Sequence, residues 1–224
     1  MLGGRGKLPV LAEISGSAPE AARAWSLRRE DLRALAKLPR SLREQRVVLV
    51  SGDEGLTGAI ALAGAASAAG RRSALLECDL VYPRLAADLG LAETPGLHEY
   101  LRWEATAPEI LQPLALAGPA SAGAAHPLVC VVAGRRAADP ATLIGLESFS
   151  HALAKLRQAY DLVVLAGPTF DFGYGSLEAL AAHADTLLAA ISPAQASGRP
   201  NRRLGSALRG LPVAISGAIV VGDR

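Results

Sequence analysis

The sequence predicts an α/β fold, a mainly parallel sheet with helices on both faces. Three observations predict it. Strand-like and helix-like runs alternate from residue 47 onward. The strand-like runs are continuously apolar, as parallel strands covered on both faces are. The first of them, Val47-Val48-Leu49-Val50, leads through a Gly-containing turn at residues 51–55 into a helix of small residues over 59–69. Strand, glycine loop, helix is the frame of a phosphate-binding loop.

The elements follow in order. Residues 1–19 are Gly- and Pro-rich around one apolar patch, residues 8–14, and read as an extended N-terminal arm that docks on the domain. Residues 20–224 read as that single domain, and a chain of 224 residues has ample length for its core. Over 20–45, Leu27, Leu32, Leu35 and Leu38 recur at helical spacing among Arg residues, giving one or two amphipathic helices that Pro39 divides or ends. The Arg residues there are either a solvated face or a subunit interface. Gly70-Arg71-Arg72 is a turn, and 73–77 is the next strand. A helix is expected over 83–89, with Pro83 near its first turn as Pro prefers. Short helices are expected over 96–101 and 108–116, a surface loop over the Ala/Gly/Ser-rich 117–125, and a strand over 127–133. Residues 139–146 and 149–158 read as helices, 161–166 as a strand, 177–184 as a helix and 185–191 as a strand. A basic helix over 197–209 precedes a last strand over 213–221.

Ligands of such folds bind at the carboxyl ends of the strands, here residues 51–58, 77–79, 134–136 and 167–171. A working phosphate loop reads G-x-x-x-x-G-K-[ST]. Its backbone N–H groups cradle the phosphates, its Lys neutralises their charge and its hydroxyl sits on Mg²⁺. In the register opened by Gly52, Thr57 stands at the closing Gly, Gly58 at the Lys and Ala59 at the hydroxyl residue. The frame is present and its chemistry is stripped out. The candidate site is thus a vestigial phosphate-loop region, Ser51, Gly52, Asp53, Gly55, Thr57, Gly58 and Asp79, with no catalytic residue and no metal ligand assigned. The Thr57 hydroxyl is a candidate phosphate contact. Asp79 is either a remnant base or metal ligand, or the cap of a turn or of the next helix. Glu77 with Asp79 would make an acidic pair, but alternation along the strand is read as setting the two on opposite sides.

A formal net charge of +2 does not by itself argue for nucleic acid. Cys78 and Cys130 lie in apolar strand-like runs, the setting of buried reduced thiols in a cytoplasmic compartment. The first residues lack the apolar core of a signal peptide. No apolar stretch reaches the roughly 20 residues of a membrane span, so a membrane is expected only through a partner. His98, His126, His151 and His183 show no metal spacing. Ser51 has no His partner in a hydrolase pattern. Trp25 and Trp103 are either interface anchors or ordinary packing.

Six segments occur in a fixed order: LPVLAEI over 8–14, ALLECDLVYPRLAADL over 74–89, Pro95-Gly96-Leu97, the stretch from Gly134 through Asp139-Pro140-Ala141, YDLVVLAGP over 160–168, and Gly217-Ala218-Ile219-Val220. Together they resemble the ParA/MinD-type P-loop ATPases, and within them the bacterial tyrosine kinase (BY-kinase) domains that act with polysaccharide chain-length regulators. The first is similar to the arm leading into that kinase domain and the second to its hydrophobic-D-x-D motif. The third matches its PGL, the fourth its G…NPAELL stretch, the fifth its YDLVIIDTPP strand and the sixth its GVVLN strand. The resemblance spans about residue 8 to 222 and implies a P-loop NTPase (MinD/BY-kinase-like) architecture. It also implies a setting in exopolysaccharide or capsule assembly with a membrane chain-length co-polymerase.

The departures fall on the family's ATP-handling positions. Its first acidic-motif Asp is Glu77 here, while Asp79 is kept, and the Arg that follows is Val81. Its Mg²⁺-side Asp at the end of the third motif strand is Ala166, followed by Gly167. Asp53 stands where MinD-type loops carry a signature Lys. No Tyr follows Tyr174, although the family ends in a tyrosine cluster. The family's E-x-x-R-x-x-R helix is met only in part, by Glu20, Arg23 and Ser26 and by Glu30, Arg33 and Ala36. The resemblance read with these departures implies a pseudo-ATPase or pseudokinase. It would act as a regulatory or scaffolding subunit, cytoplasmic and recruited to the inner face of the membrane by a protein partner, the co-polymerase or a second copy. No cofactor is expected, with weak binding of Mg-ATP or Mg-ADP left open, and nucleic acid is not an expected partner. Two alternatives stand beside it. One is an unorthodox active ATPase or tyrosine kinase using Arg71, Arg135, Arg136 or Arg199 in place of the Lys and holding metal on Asp79 and Glu77. The other is a ParA/MinD-like positioning protein that binds DNA through Arg199, Arg202, Arg203 and Arg209.

Overall fold

Four runs in which every residue is buried form the centre of the sheet: β2 (Val47–Ser51), β3 (Ser73–Glu77), β6 (Leu162–Ala166) and β7 (Thr186–Ile191). Continuous apolar runs fit only positions covered on both faces. This computed structural model describes residues 6–15, 27–115, 125–170 and 174–222. The expectations for 20–26, for Trp25, for most of the 117–125 loop and for Asp171 lie outside the described residues. One edge carries β8 (Ile215–Gly222) and then β1 (Val10–Ser15); the other carries β5 (Leu128–Val131) and then β4 (Gln112–Leu114). The order is β1-β8-β7-β2-β6-β3-β5-β4, parallel throughout except for β4 against β5.

Alternate strand residues feed two cores. Val48, Val50, Leu75 and Val164 pack with α1 (Arg29–Ala36), α2 (Arg40–Arg43), α3 (Gly55–Ala68) and α4 (Leu85–Leu89). Val47, Leu49, Leu76 and Leu165 pack on the other face with α5 (Leu97–Leu101), α6 (Ala107–Ile110), α7 (Pro140–Ile144), α8 (Glu147–Ala159), α9 (Tyr174–Ala181) and α10 (Gly198–Leu208). The expected architecture, a mainly parallel sheet with helices on both faces, is the one found. Pro39 does divide the first helical segment, standing as the N-cap of α2. The apolar patch of residues 8–14 lies along β8 as an edge strand, and Asn201 on α10 holds the Leu8 backbone through both its N–H, at 2.7 Å, and its carbonyl, at 3.3 Å.

Four elements differ from expectation. The helix expected over 177–184 runs over Tyr174–Ala181. Residues 108–116 do not form one helix: α6 stops at Ile110 and β4 follows. Pro113 drives its predecessor away from helical geometry and suits an edge strand. The helix expected from Pro83 begins at Leu85, with Arg84 as its N-cap. The helix after the glycine turn begins at Gly55, four residues before the expected start. Cys78 and Cys130 are buried free thiols, and burial pushes Cys130 up to about 12. Among the described residues no helix is long and apolar enough to cross a membrane.

Candidate functional site

A cleft of about 490 Å³ opens at the carboxyl ends of β2, β3 and β6. Gly52, Asp53, Gly55 and Leu56 form one wall, Glu77 and Asp79 a second, and Ala166 and Gly167 a third. This is where an α/β sheet of this kind binds ligands.

The turn on the first wall is short. Only Gly52, Asp53 and Glu54 separate the last residue of β2 from the first of α3. Gly52 has φ +131°, and a Cβ on it would lie 2.3 Å from the Ala190 carbonyl oxygen, so only glycine fits. The Gly55 N–H donates to the Gly52 carbonyl at 2.9 Å, and the Glu54 N–H to the Ala190 carbonyl at 3.2 Å. Asp53 Oδ2 accepts from Gln195 Nε2 at 2.6 Å. The turn is therefore closed on itself and fastened to the end of β7. A phosphate cradle needs N–H groups aimed outward at the helix start, and here the Glu54 and Gly55 donors serve protein carbonyls.

The other phosphate-loop candidates are drawn away from the cleft. Ser51 is buried and its Oγ donates to the Pro168 carbonyl at 2.5 Å. Thr57 is half-buried within α3 and is not part of the cleft wall. Gly58, the Lys position of the loop register, packs against the sheet: a Cβ there would stand 2.7 Å from Ala190 Cβ. Ala59, the hydroxyl position, is fully buried. The helix start facing the cleft carries Gly55 and Leu56, neither of which offers charge or hydroxyl.

Glu77 and Asp79 are on the same wall, which corrects the expectation that alternation separates them: residues two apart on a strand share a face. Both are occupied by backbone. Glu77 Oε1 accepts from the N–H groups of Arg84 at 2.5 Å and Leu85 at 2.7 Å, and Oε2 from Ala133 at 3.1 Å. Burial raises its pKa, opposed by these three donors. Glu77 thus starts α4 and ties β3 to the end of β5. Asp79 Oδ1 accepts from the N–H groups of Val81 at 3.1 Å and Tyr82 at 3.0 Å, an Asx turn. Of the two readings of Asp79, the turn cap is the one the geometry displays.

The relocated-Arg candidates are also elsewhere. Arg71 donates to the Asp161 carbonyl at 2.6 Å, beside the opposite, amino end of β6. Arg135 pairs with Glu99 at 2.9 Å and also with Glu104. Arg136 and Arg199 do not line the cleft. The cation that does is Arg84, which sequence reasoning missed along with Tyr82, while Thr169 falls in the expected strand end 167–171. The nearest sequence signal was Asp79 followed by Tyr82-Pro83, a turn that folds back over the strand end. Arg84 lies 3.7 Å from Asp88. Asp53, Glu77 and Asp79 against Arg84 leave the cleft acidic. This donor set does not fit a magnesium-bound triphosphate, which needs outward N–H groups, a cation and an Mg²⁺-side hydroxyl together. Among the described residues no group of three or more His, Cys, Asp or Glu is placed to hold a metal ion.

No protein-family model matches the sequence, and no curated protein matches it. Solved structures do match. The kinase domain of the Escherichia coli tyrosine kinase Etk is 18% identical with a TM-score of 0.75, covering 96% of this chain and 91% of that one. The BceF tyrosine kinase domain is 18% identical with a TM-score of 0.76, covering 97% and 94%. The cell division ATPase MinD of Pyrococcus furiosus is 19% identical with a TM-score of 0.56, covering 78% and 71%. What the chain shares with them at such identities is the P-loop NTPase fold of BY-kinase and MinD domains, the architecture expected from its motif order.

Proposed function

We propose that this chain is a catalytically degenerate pseudo-ATPase, a regulatory or scaffolding subunit that works by binding a protein partner. One observation carries the reading: the cleft lies at the carboxyl ends of the strands, where such a sheet binds ligands, yet the N–H groups of Glu54 and Gly55 go to protein carbonyls and its walls carry Asp53 and Asp79 with no Lys. Preorganised positive groups around a transferred phosphoryl supply most of its catalysis, and here the cation lining the cleft is Arg84, 3.7 Å from Asp88, among three carboxylates. The setting, carried over from the motif order and the likeness to tyrosine kinase domains, is exopolysaccharide or capsule assembly. The chain is then cytoplasmic and held at the inner face of the membrane by a chain-length co-polymerase. Incubation of the purified chain with Mg-ATP is expected to release no phosphate above buffer and to leave its tyrosines unmodified. Steady turnover that scales with protein concentration overturns the reading.

A second reading rests on α10. Arg199, Arg202 and Arg203 are exposed on one face of that helix, with Arg209 at its C-cap, and no acidic residue lies between Gly198 and Arg209. Such a stripe suits a polyanion and favours the ParA/MinD-like alternative. It predicts DNA binding that weakens steeply with salt and is lost when Arg202 and Arg203 are replaced by Glu. No binding at low salt removes it.

A further inference from the structure

Trp103 is 78% exposed, the most exposed large apolar side chain among the described residues. It is also the non-glycine residue at positive φ among them, at +64°. The cause is local. α5 ends in a Schellman motif: the Trp103 N–H donates to the Tyr100 carbonyl at 3.0 Å and the Glu104 N–H to the Glu99 carbonyl at 2.8 Å, with Arg102 as the C-cap. The residue after the C-cap of such a motif is left-handed and is usually glycine, because a Cβ there is strained. The fold needs a left-handed residue at 103 and does not need an indole. An exposed indole on a backbone that disfavours it has no role in folding this chain, and strain of this kind accompanies binding sites.

Beside the indole lies a groove of about 540 Å³ between the end of α5 and the α7–α8 junction. Leu146, 37% exposed, lines it over the buried Leu101 and Leu143, with Ser148 and His151 beside it. Knob and hole are thus on one face. The rim carries both charges. Arg102, paired with Glu104 at 2.8 Å, stands next to the Trp, and Glu147, whose side chain is 84% exposed, stands at the start of α8. A patch with one apolar knob, one apolar groove and opposite charges is its own complement, the requirement of a two-fold interface. A partner with a single-sign surface would match only half of it.

We infer that this patch is where a second copy of the chain binds, with the Trp103 indole of each copy seated in the groove of the other and Arg102 facing Glu147 across the two-fold. The inference is independent of the state of the cleft. Indoles in central, desolvated pockets are the commonest dominant contacts of interfaces.

Sedimentation velocity of the full chain across a micromolar concentration series tests it, together with thermal unfolding. A reversible dimer is expected. Trp103→Gly should raise its Kd by about 1,000-fold, because a two-fold dimer loses a dominant contact from each copy. The same variant should raise the Tm of the monomer, because glycine relieves the left-handed strain. Leu146→Glu should weaken the dimer as well. A purely structural Trp would give the reverse pattern, a lower Tm in Trp103→Gly with no change in association. A monomer at every concentration, or a dimer that survives Trp103→Gly unchanged, overturns the inference.

Discussion

Glu77→Ala is expected to destabilise the protein by about 2–6 kcal/mol, because it leaves two buried N–H groups without an acceptor at about 1–3 kcal/mol each, and a third, part-buried one beside them. Those groups belong to Arg84, Leu85 and Ala133, so the loss falls on the start of α4 and on the junction of β3 with β5 together. Glu77→Gln keeps one acceptor oxygen and loses the buried charge, and its cost should be clearly smaller. Burial raises the pKa of Glu77. The folded chain therefore binds a proton that the unfolded chain has already lost. Through the interval from the ordinary carboxylate value up to the raised one, this group lowers stability as pH rises. Glu77→Gln should remove that downward slope, and subtracting its pH–stability curve from the parent's isolates it from the other carboxylates. Urea unfolding at several pH values measures both effects. A loss under about 1 kcal/mol in Glu77→Ala would mean that the carboxylate is not committed to the backbone. It would then be open to a metal ion, as the active-enzyme alternative requires.

Gly58→Lys is expected to cost about 2–4 kcal/mol and to restore no ATP turnover. In the sequence this substitution looks like the repair of a phosphate loop. In the structure its Cβ would stand 2.7 Å from Ala190 Cβ and 3.4 Å from Val50 Cγ1, so α3 must lift from the sheet before any side chain fits. The ammonium would then start from the core side of the helix, not from the cleft wall. Gly58→Ala separates the two contributions, since it carries the steric clash without the charge, and about 1–3 kcal/mol of the loss should remain. Nucleotide turnover gained by Gly58→Lys would show that residue 58 does reach the cleft.

These two residues also mark how far the sequence could be read. β3 was legible to the residue, and β2, β6 and β7 to within one, because buried parallel strands leave short, continuous apolar runs. The cleft's position followed from the same runs, since strand ends fix where such a sheet binds. The start of α3 was not legible. Gly55, Leu56, Thr57 and Gly58 include two poor helix formers, and they are helical because close packing of small residues against β7 rewards it. That shift of four residues moves Gly58 and Ala59 out of the loop, so the register read from glycine spacing alone placed two positions that the helix buries. The role of Glu77 was hidden for another reason: its partner Ala133 is 56 residues away in the chain. Trp103 was ambiguous between anchor and packing because nothing local announces that α5 ends in a left-handed residue there.

The central claim, that the cleft keeps the position of a nucleotide site without its function, is tested most directly by thermal unfolding of the purified chain with and without millimolar Mg-ATP and Mg-ADP. A ligand that binds only the folded chain, at 100 times its Kd, stabilises by roughly 2.7 kcal/mol. For a chain of this size that is a rise in Tm of about 5–10 °C. An unchanged Tm with either nucleotide is the expected result. A Mg²⁺-dependent rise of that size, lost in Asp79→Asn, would contradict it and make the chain a nucleotide-reading switch.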